Sequence, residues 1–153
     1  MALSKKKNNE SKNMHFSRED QKKILSSSSP FIVKEAYSSI RTNLLFSQKG
    51  DECPVFIVTS PTANNGKSIN SVNMAVSFAQ MGKKTLLIDA DMRNPTVHRL
   101  FSIPVKNGLS EILAGLTDNI TVSKTDIENL SVLTAGKIPP NPSELLSSER
   151  TDK

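Results

Sequence analysis

An apolar run that stops dead at Pro61-Thr-Ala-Asn-Asn-Gly-Lys-Ser68 constrains this chain more than any other feature. Val55-Phe-Ile-Val58-Thr-Ser reads as a buried strand over about 54–60, and Asn70 to Gln80 reads as a helix. Gly-Lys-Ser is common by chance. Between a strand and a helix it reads as a phosphate-binding loop, because backbone N–H groups and the start of the helix then face one anion. In such a loop Lys67 reaches the terminal phosphates of a nucleoside triphosphate. Ser68 offers a hydroxyl to magnesium, which keeps most of its water and takes few protein oxygens. The strict pattern wants Gly where Pro61 stands. Asn64 and Asn65 also occupy positions where most such loops carry Gly, and Asn is the non-Gly residue best able to adopt positive φ. Thr62, Ala63, Asn64, Asn65, Gly66, Lys67, Ser68 and Ile69 are therefore the expected nucleotide contacts.

About twenty positions on, Thr85-Leu-Leu-Ile88 reads as a second buried strand that ends in Asp89-Ala-Asp91. Residues two apart on a strand share a face. Both carboxylates are then expected at the crevice beyond the strand ends, where ligands bind in open α/β sheets. Two close carboxylates need a cation, and phosphate-bound magnesium supplies one. Ser68, Asp89 and Asp91 are the expected metal ligands, with Arg93 as a further phosphate contact. The alternative reading is a solvated Gly-capped turn and an exposed Asp-Ala-Asp turn, but the apolar residues before each motif set both at a sheet edge.

The strand, helix and strand around the loop make a βαβ unit, which closes right-handed onto a parallel sheet. Before it, Val33, Tyr37, Ile40 and Leu44 recur at helical spacing, and Gly50-Asp51 is expected to end that helix. The loop helix is expected from Lys67 to about Met81, with Gly82 as its stop. Residues 92–107 read as an excursion, Gly108 to Gly115 as a short helix and Leu130 to Thr134 as a short strand. After the stiff Pro139-Pro-Asn-Pro142, Ser143 is expected to cap a last helix. The fold class is α/β: a P-loop NTPase-like parallel sheet with flanking helices, incomplete at the C-terminus.

The net charge of +5 is lopsided: residues 1–50 carry ten Lys/Arg against four Asp/Glu, and residues 51–153 carry ten against eleven. Residues 1–29 read as a basic, disordered tail and residues 30–153 as one domain. No aromatics are interleaved with the basic residues, so nucleic acid is not an expected partner; an anionic membrane surface or an acidic partner suits them better. The one cysteine, Cys53, makes no internal disulfide and suits a reducing compartment. No stretch reaches the ~20 apolar residues of a membrane helix. The chain reads as cytoplasmic and peripheral at the inner face of the membrane. His98 reads as a packing or capping histidine.

Five segments together resemble the bacterial tyrosine kinases of capsule and exopolysaccharide synthesis. They are Glu35-Ala-Tyr-Ser-Ser-Ile-Arg-Thr-Asn-Leu44, Val58 to Ser68, Leu86-Leu-Ile-Asp-Ala-Asp-Met-Arg93, Gly108-Leu-Ser-Glu-Ile-Leu113 and Pro139-Pro-Asn-Pro-Ser-Glu-Leu-Leu146. The resemblance implies autophosphorylation on tyrosine with ATP and Mg2+. In that reading Lys67, Asp89 and Asp91 are catalytic, and Asp89 takes the tyrosine proton while Asp91 supports the metal. It also implies a membrane activator whose cytoplasmic tail completes the site, and a homo-oligomer formed through the helix of Glu35 and Arg41. Three departures stand out. Ser38 replaces the middle arginine of the family's Glu-x-x-Arg-x-x-Arg motif. Asn64-Asn65 replaces Gly and a small or acidic residue. The family's third acidic motif, Asp-Thr-Pro-Pro, and its tyrosine-rich tail are absent, so the chain reads as a truncated product or a fragment with poor activity of its own. Two rivals are a partitioning ATPase, whose early loop lysine is Thr62 here, and a non-catalytic nucleotide-binding regulator.

Overall fold

A computed structural model describes residues 19, 21–48, 53–62, 65–148 and 150. Helix α1 spans Phe31–Ser47 and helix α2 Lys67–Gln80. Strand β1, Thr85–Ile88, is followed by two short helices, α3 (Val97–Leu100) and α4 (Leu109–Leu113). Strands β2 (Ser123–Lys124) and β3 (Leu130–Leu133) precede the last helix, α5 (Pro142–Leu146). The sheet order is β1-β3-β2. β1 and β3 run parallel, with Thr85 opposite Leu130 and Ile88 opposite Leu133. β2 lies antiparallel on the far side of β3, so the described sheet is mixed rather than purely parallel.

Helix α2 holds the molecule together. Val72, Ala75, Val76 and Ala79 recur at the i, i+3, i+4, i+7 spacing that gives one buried stripe. They pack with Leu130 and Val132 of β3, Val97 and Leu100 of α3, and Leu25. Val72 and Val76 are fully buried, and each such side chain contributes roughly 1.5–3 kcal/mol. The helix ends as expected: Gly82 takes φ 83° and returns its N–H to the Ala79 carbonyl, a left-handed stop that glycine makes without a Cβ penalty. A second cluster of Met92, Leu113 and Ala135, with Leu109 and Leu145 against it, ties α4 and α5 to the chain just past β1.

Four sequence expectations change here. Residues 54–60 form no ladder with any described segment. Phe56 stacks on Phe78 of α2, but Val55 and Ile57 are 83% and 88% exposed. A strand needs a neighbour to supply the other half of its hydrogen bonds, and among the described residues β1 pairs with β3 alone. Second, Leu25 and Ile24, read as part of the tail, belong to the core. Third, α1 ends at Ser47 with Gln48 as its C-cap; the expected stop at Gly50-Asp51 lies outside the described residues. Of its expected stripe, Val33 and Tyr37 meet the core, whereas Ile40 is exposed. Fourth, Asn141 rather than Ser143 is the N-cap of α5, with Pro142 in the first turn. The fixed φ of proline suits that position and moves the cap two residues earlier.

Candidate nucleotide-binding site

The loop enters α2 through Gly66, which sits at φ 72° in the left-handed region. Only glycine, and less easily asparagine, takes that conformation at little cost. Asn70, four residues on, donates both its backbone N–H and its side-chain Nδ2 to the Gly66 carbonyl, at 2.9 and 3.0 Å. Upstream, the Asn65 amide donates to Thr62 Oγ1 at 2.6 Å, and Ser60 Oγ donates to the Thr62 carbonyl. Asn65 thus closes the loop by a side-chain bond where a glycine would use backbone freedom alone. Ala63 and Asn64 lie outside the described residues. Lys67 and Ser68 form the first turn of α2, and Ile69 packs into the core as the loop's anchor.

Lys67 and Asp91, 24 positions apart, meet: Nζ lies 2.7 Å from Asp91 Oδ2. The other Asp91 oxygen accepts the Asn94 N–H at 3.0 Å. Burial pushes the Asp91 carboxyl up, but the Lys67 ammonium and the amides of Asn94 and Arg93 outweigh it and hold the group below the usual carboxylate range. Asp91 is therefore an anion in direct contact with the loop lysine.

Asp89 does different work. It is 5% exposed. Its Oδ2 accepts the N–H groups of Thr96 and Val97 at 3.2 and 3.1 Å, and its Oδ1 accepts that of Asp91 at 3.1 Å. Burial dominates and raises its pKa, against the three amides. The expectation that both carboxylates share a face fails because β1 ends at Ile88; the period of two does not extend into the turn beyond it. Asp89 folds the 89–97 loop onto the start of α3, and that loop delivers Asp91 to Lys67. Arg93 donates to Ser143 Oγ at 3.1 Å. It so links this loop to the start of α5.

Two polar residues that the sequence reading passed over join the site from behind. Tyr37, read only as part of an apolar stripe, donates its hydroxyl proton to Asn70 Oδ1 at 2.8 Å. The buried Asn73 donates to Tyr37 Oη at 3.3 Å. An asparagine one helical turn after the loop glycine was the available signal. His98 sits in α3 with Nδ1 buried and unbonded, in keeping with a packing role. Among the described residues no group of three or more His, Cys, Asp or Glu could hold a metal by itself. Ser68 and Asp91 with phosphate oxygens are a donor set that suits magnesium, which needs no protein cage.

The AAA domain family matches residues 62–149, more than half of the chain. The chain belongs to that family. Its relatives include tyrosine-protein kinase YwqD of Bacillus subtilis (strain 168), 41% identical over 131 residues that make up 84% of this chain and 55% of that protein. Tyrosine-protein kinase CpsD of Streptococcus pneumoniae is 43% identical over 119 residues, 76% of this chain and 52% of that one. Among solved structures, the BceF tyrosine kinase domain superposes with a TM-score of 0.73 at 42% identity, covering 83% of this chain and 51% of that chain. The resemblance to bacterial tyrosine kinases and the P-loop NTPase-like fold both hold. The chain spans about half the length of the curated relatives it matches. No described helix is long and apolar enough to cross a membrane.

Proposed function

We propose that this chain binds ATP with Mg2+ at the 61–69 loop, as the nucleotide-binding part of a protein tyrosine kinase that regulates capsular or exopolysaccharide synthesis. The observation that carries the reading is the 2.7 Å Lys67–Asp91 pair at the mouth of a helix opened by a left-handed glycine. An ammonium held by one carboxylate is positioned and exchangeable: terminal phosphates compete for it with more negative charge and more acceptor oxygens. Ser68 and Asp91 would hold the metal, which offsets phosphate charge. The remaining demand of phosphoryl transfer is positioning. The three amides leave Asp89 Oδ1 one acceptor site, so for Asp89 to take a tyrosine proton the hydroxyl must reach that oxygen in a carboxylate that is 5% exposed.

The wider parts of the reading rest on the family. A membrane activator's cytoplasmic tail is the proposed partner, at the inner face of the membrane. Self-association through α1 is proposed on Glu35, which is exposed. Arg41 instead donates to the Ser77 carbonyl and hydroxyl at 2.8 and 3.1 Å, and to Ser38 at 3.2 Å, within its own chain. Calorimetric titration of the 153-residue chain with magnesium-ATP tests the core of the proposal. Binding by the wild type, with affinity reduced about tenfold or more in Lys67→Met, supports it. Equal affinities, or no heat from the wild type, would overturn it.

A further inference from the structure

The phosphate loop is tied by hydrogen bonds to the 23–25 segment, which lies outside the loop. Asn73 donates one amide proton to the Lys23 carbonyl and the other to Tyr37 Oη, while its Oδ1 accepts the Leu25 N–H at 2.8 Å. Tyr37 Oη donates to Asn70 Oδ1, and Asn70 Nδ2 donates to the Gly66 carbonyl. Each side chain in this series has its donors and acceptors used in one sense only. A hydroxyl that accepts from Asn73 has its single proton for Asn70 Oδ1. That fixes the Asn70 amide with Nδ2 toward Gly66, since the flipped amide would set two oxygens against each other. The series runs from the segment 23–25, through α1 and α2, to the residue whose left-handed backbone shapes the loop.

We infer that Tyr37 is a positioning residue for the phosphate loop. Its hydroxyl orients Asn70, Asn70 pins Gly66, and the packing of α1 thereby sets how well the loop holds a nucleotide. Among the described residues the hydroxyl bonds Asn70 and Asn73 and none of the expected phosphate or metal ligands, so its effect passes through Asn70. Any partner that moves α1 or the 23–25 segment then changes the affinity of the loop without entering it. This inference rests on the nucleotide reading of the loop, but part of its evidence is independent of nucleotide.

Tyr37→Phe keeps the ring that packs against the core and removes only the hydroxyl. Asn70→Ala removes the next link. Two measurements on the 153-residue chain decide the matter. The first is amide hydrogen exchange of peptides spanning 60–72 without nucleotide. Both variants are expected to exchange faster there than wild type while peptides from β3 are unchanged. The second is the dissociation constant for magnesium-ADP. Each variant is expected to weaken it about two- to ten-fold, and the double variant no more than the weaker single one, because both substitutions cut one series. Unchanged exchange and unchanged affinity in Tyr37→Phe would overturn the inference. So would losses that add in the double variant, or a lower melting temperature with loop exchange unaltered. If exchange quickens as expected but the wild-type chain binds no nucleotide, the coupling stands and the nucleotide reading fails.

Discussion

At the scale of single residues, the site divides its labour between pairs that look alike in the sequence. Asp89 and Asp91 are both acidic and two apart, yet one is buried under three backbone N–H donors and the other faces the loop lysine. Asp89→Asn puts an amide NH2 against some of those donors and is expected to cost about 1–3 kcal/mol of stability. Asp91→Asn is expected to leave the melting temperature near that of wild type, because its ion pair is partly exposed, while nucleotide affinity falls. Thermal melts beside titrations separate the two, and equal destabilisation by both would contradict the assignment. Gly66→Ala carries its own expectation. The residue stands at φ 72°, and an added Cβ would lie 3.3 Å from Asn70 Nδ2. The backbone alone costs an L-residue about 1–2 kcal/mol, so a drop of several degrees in melting temperature is expected, smaller for Gly66→Asn. Lys67, Gly66 and Asp91 were legible because a Gly-Lys-Ser and an acidic pair each end an apolar run. The burial of Asp89 was not, since it depends on where β1 stops, and no residue type marks that point.

At the scale of elements, short helices are placed by the segments they dock on. The first turn of α4 lies against the chain after β3: Leu109 and Ser110 donate their N–H groups to the Thr134 and Ala135 carbonyls at 2.9 Å each. Glu111 is buried, accepting from the Gly108 and Lys137 amides and from Ser110 Oγ. A Cβ on Gly108 would fall on the Gly136 backbone. Neither side of that contact is a flexible side chain, so Gly108→Ala is expected to destabilise by about 3 kcal/mol or more, read as a lower denaturation midpoint at unchanged slope. Helix α3 carries a pH dependence. Burial, then the charge of Arg99, lowers the His98 pKa, with Asp89 opposing. Above pH 6.5 the imidazole is neutral in both states and contributes nothing. As pH falls through 6.5 the unfolded chain takes the proton first, so stability falls until the folded pKa is passed. A melting temperature that drops between pH 7.5 and 5, with a smaller drop in His98→Gln, is the expected outcome; an unchanged drop would show that other groups account for it. The sequence placed α1, α2, β1, α4 and β3 because hydrophobic period and glycine stops are local signals. It read 54–60 as a paired strand because composition shows that a segment can be a strand but not which neighbour pairs with it.

At the scale of the molecule, the helices leave one side of β1 uncovered. Alternation along β1 packs Leu87 on the core, and Phe56 of the 53–60 segment stacks on Phe78 of α2. The other set stays open: Leu86 and Ile88 are 50% and 47% exposed, and Val55 and Ile57 more so. Parallel strands of α/β proteins ordinarily have both faces covered, and apolar runs left in water seek a cover. The βαβ unit expected around the loop is not formed among the described residues, since 54–60 joins no ladder. The α/β class was readable because it follows from the sequence of elements. The uncovered side was not, because the same apolar alternation describes a strand covered on both faces. The open residues give the 153-residue chain a measurable property: it is expected to enhance the fluorescence of an anilinonaphthalene dye well above the level of a closed domain, and to elute from a sizing column earlier as concentration rises. Ile57→Lys with Ile88→Lys places charge on two of these exposed residues. The pair is expected to lower dye binding and concentration dependence together while the thermal midpoint holds. Dye binding that persisted in the double variant would place the exposed apolar surface elsewhere, with α1 and its exposed Phe31, Ile32 and Phe46 as the next region to charge.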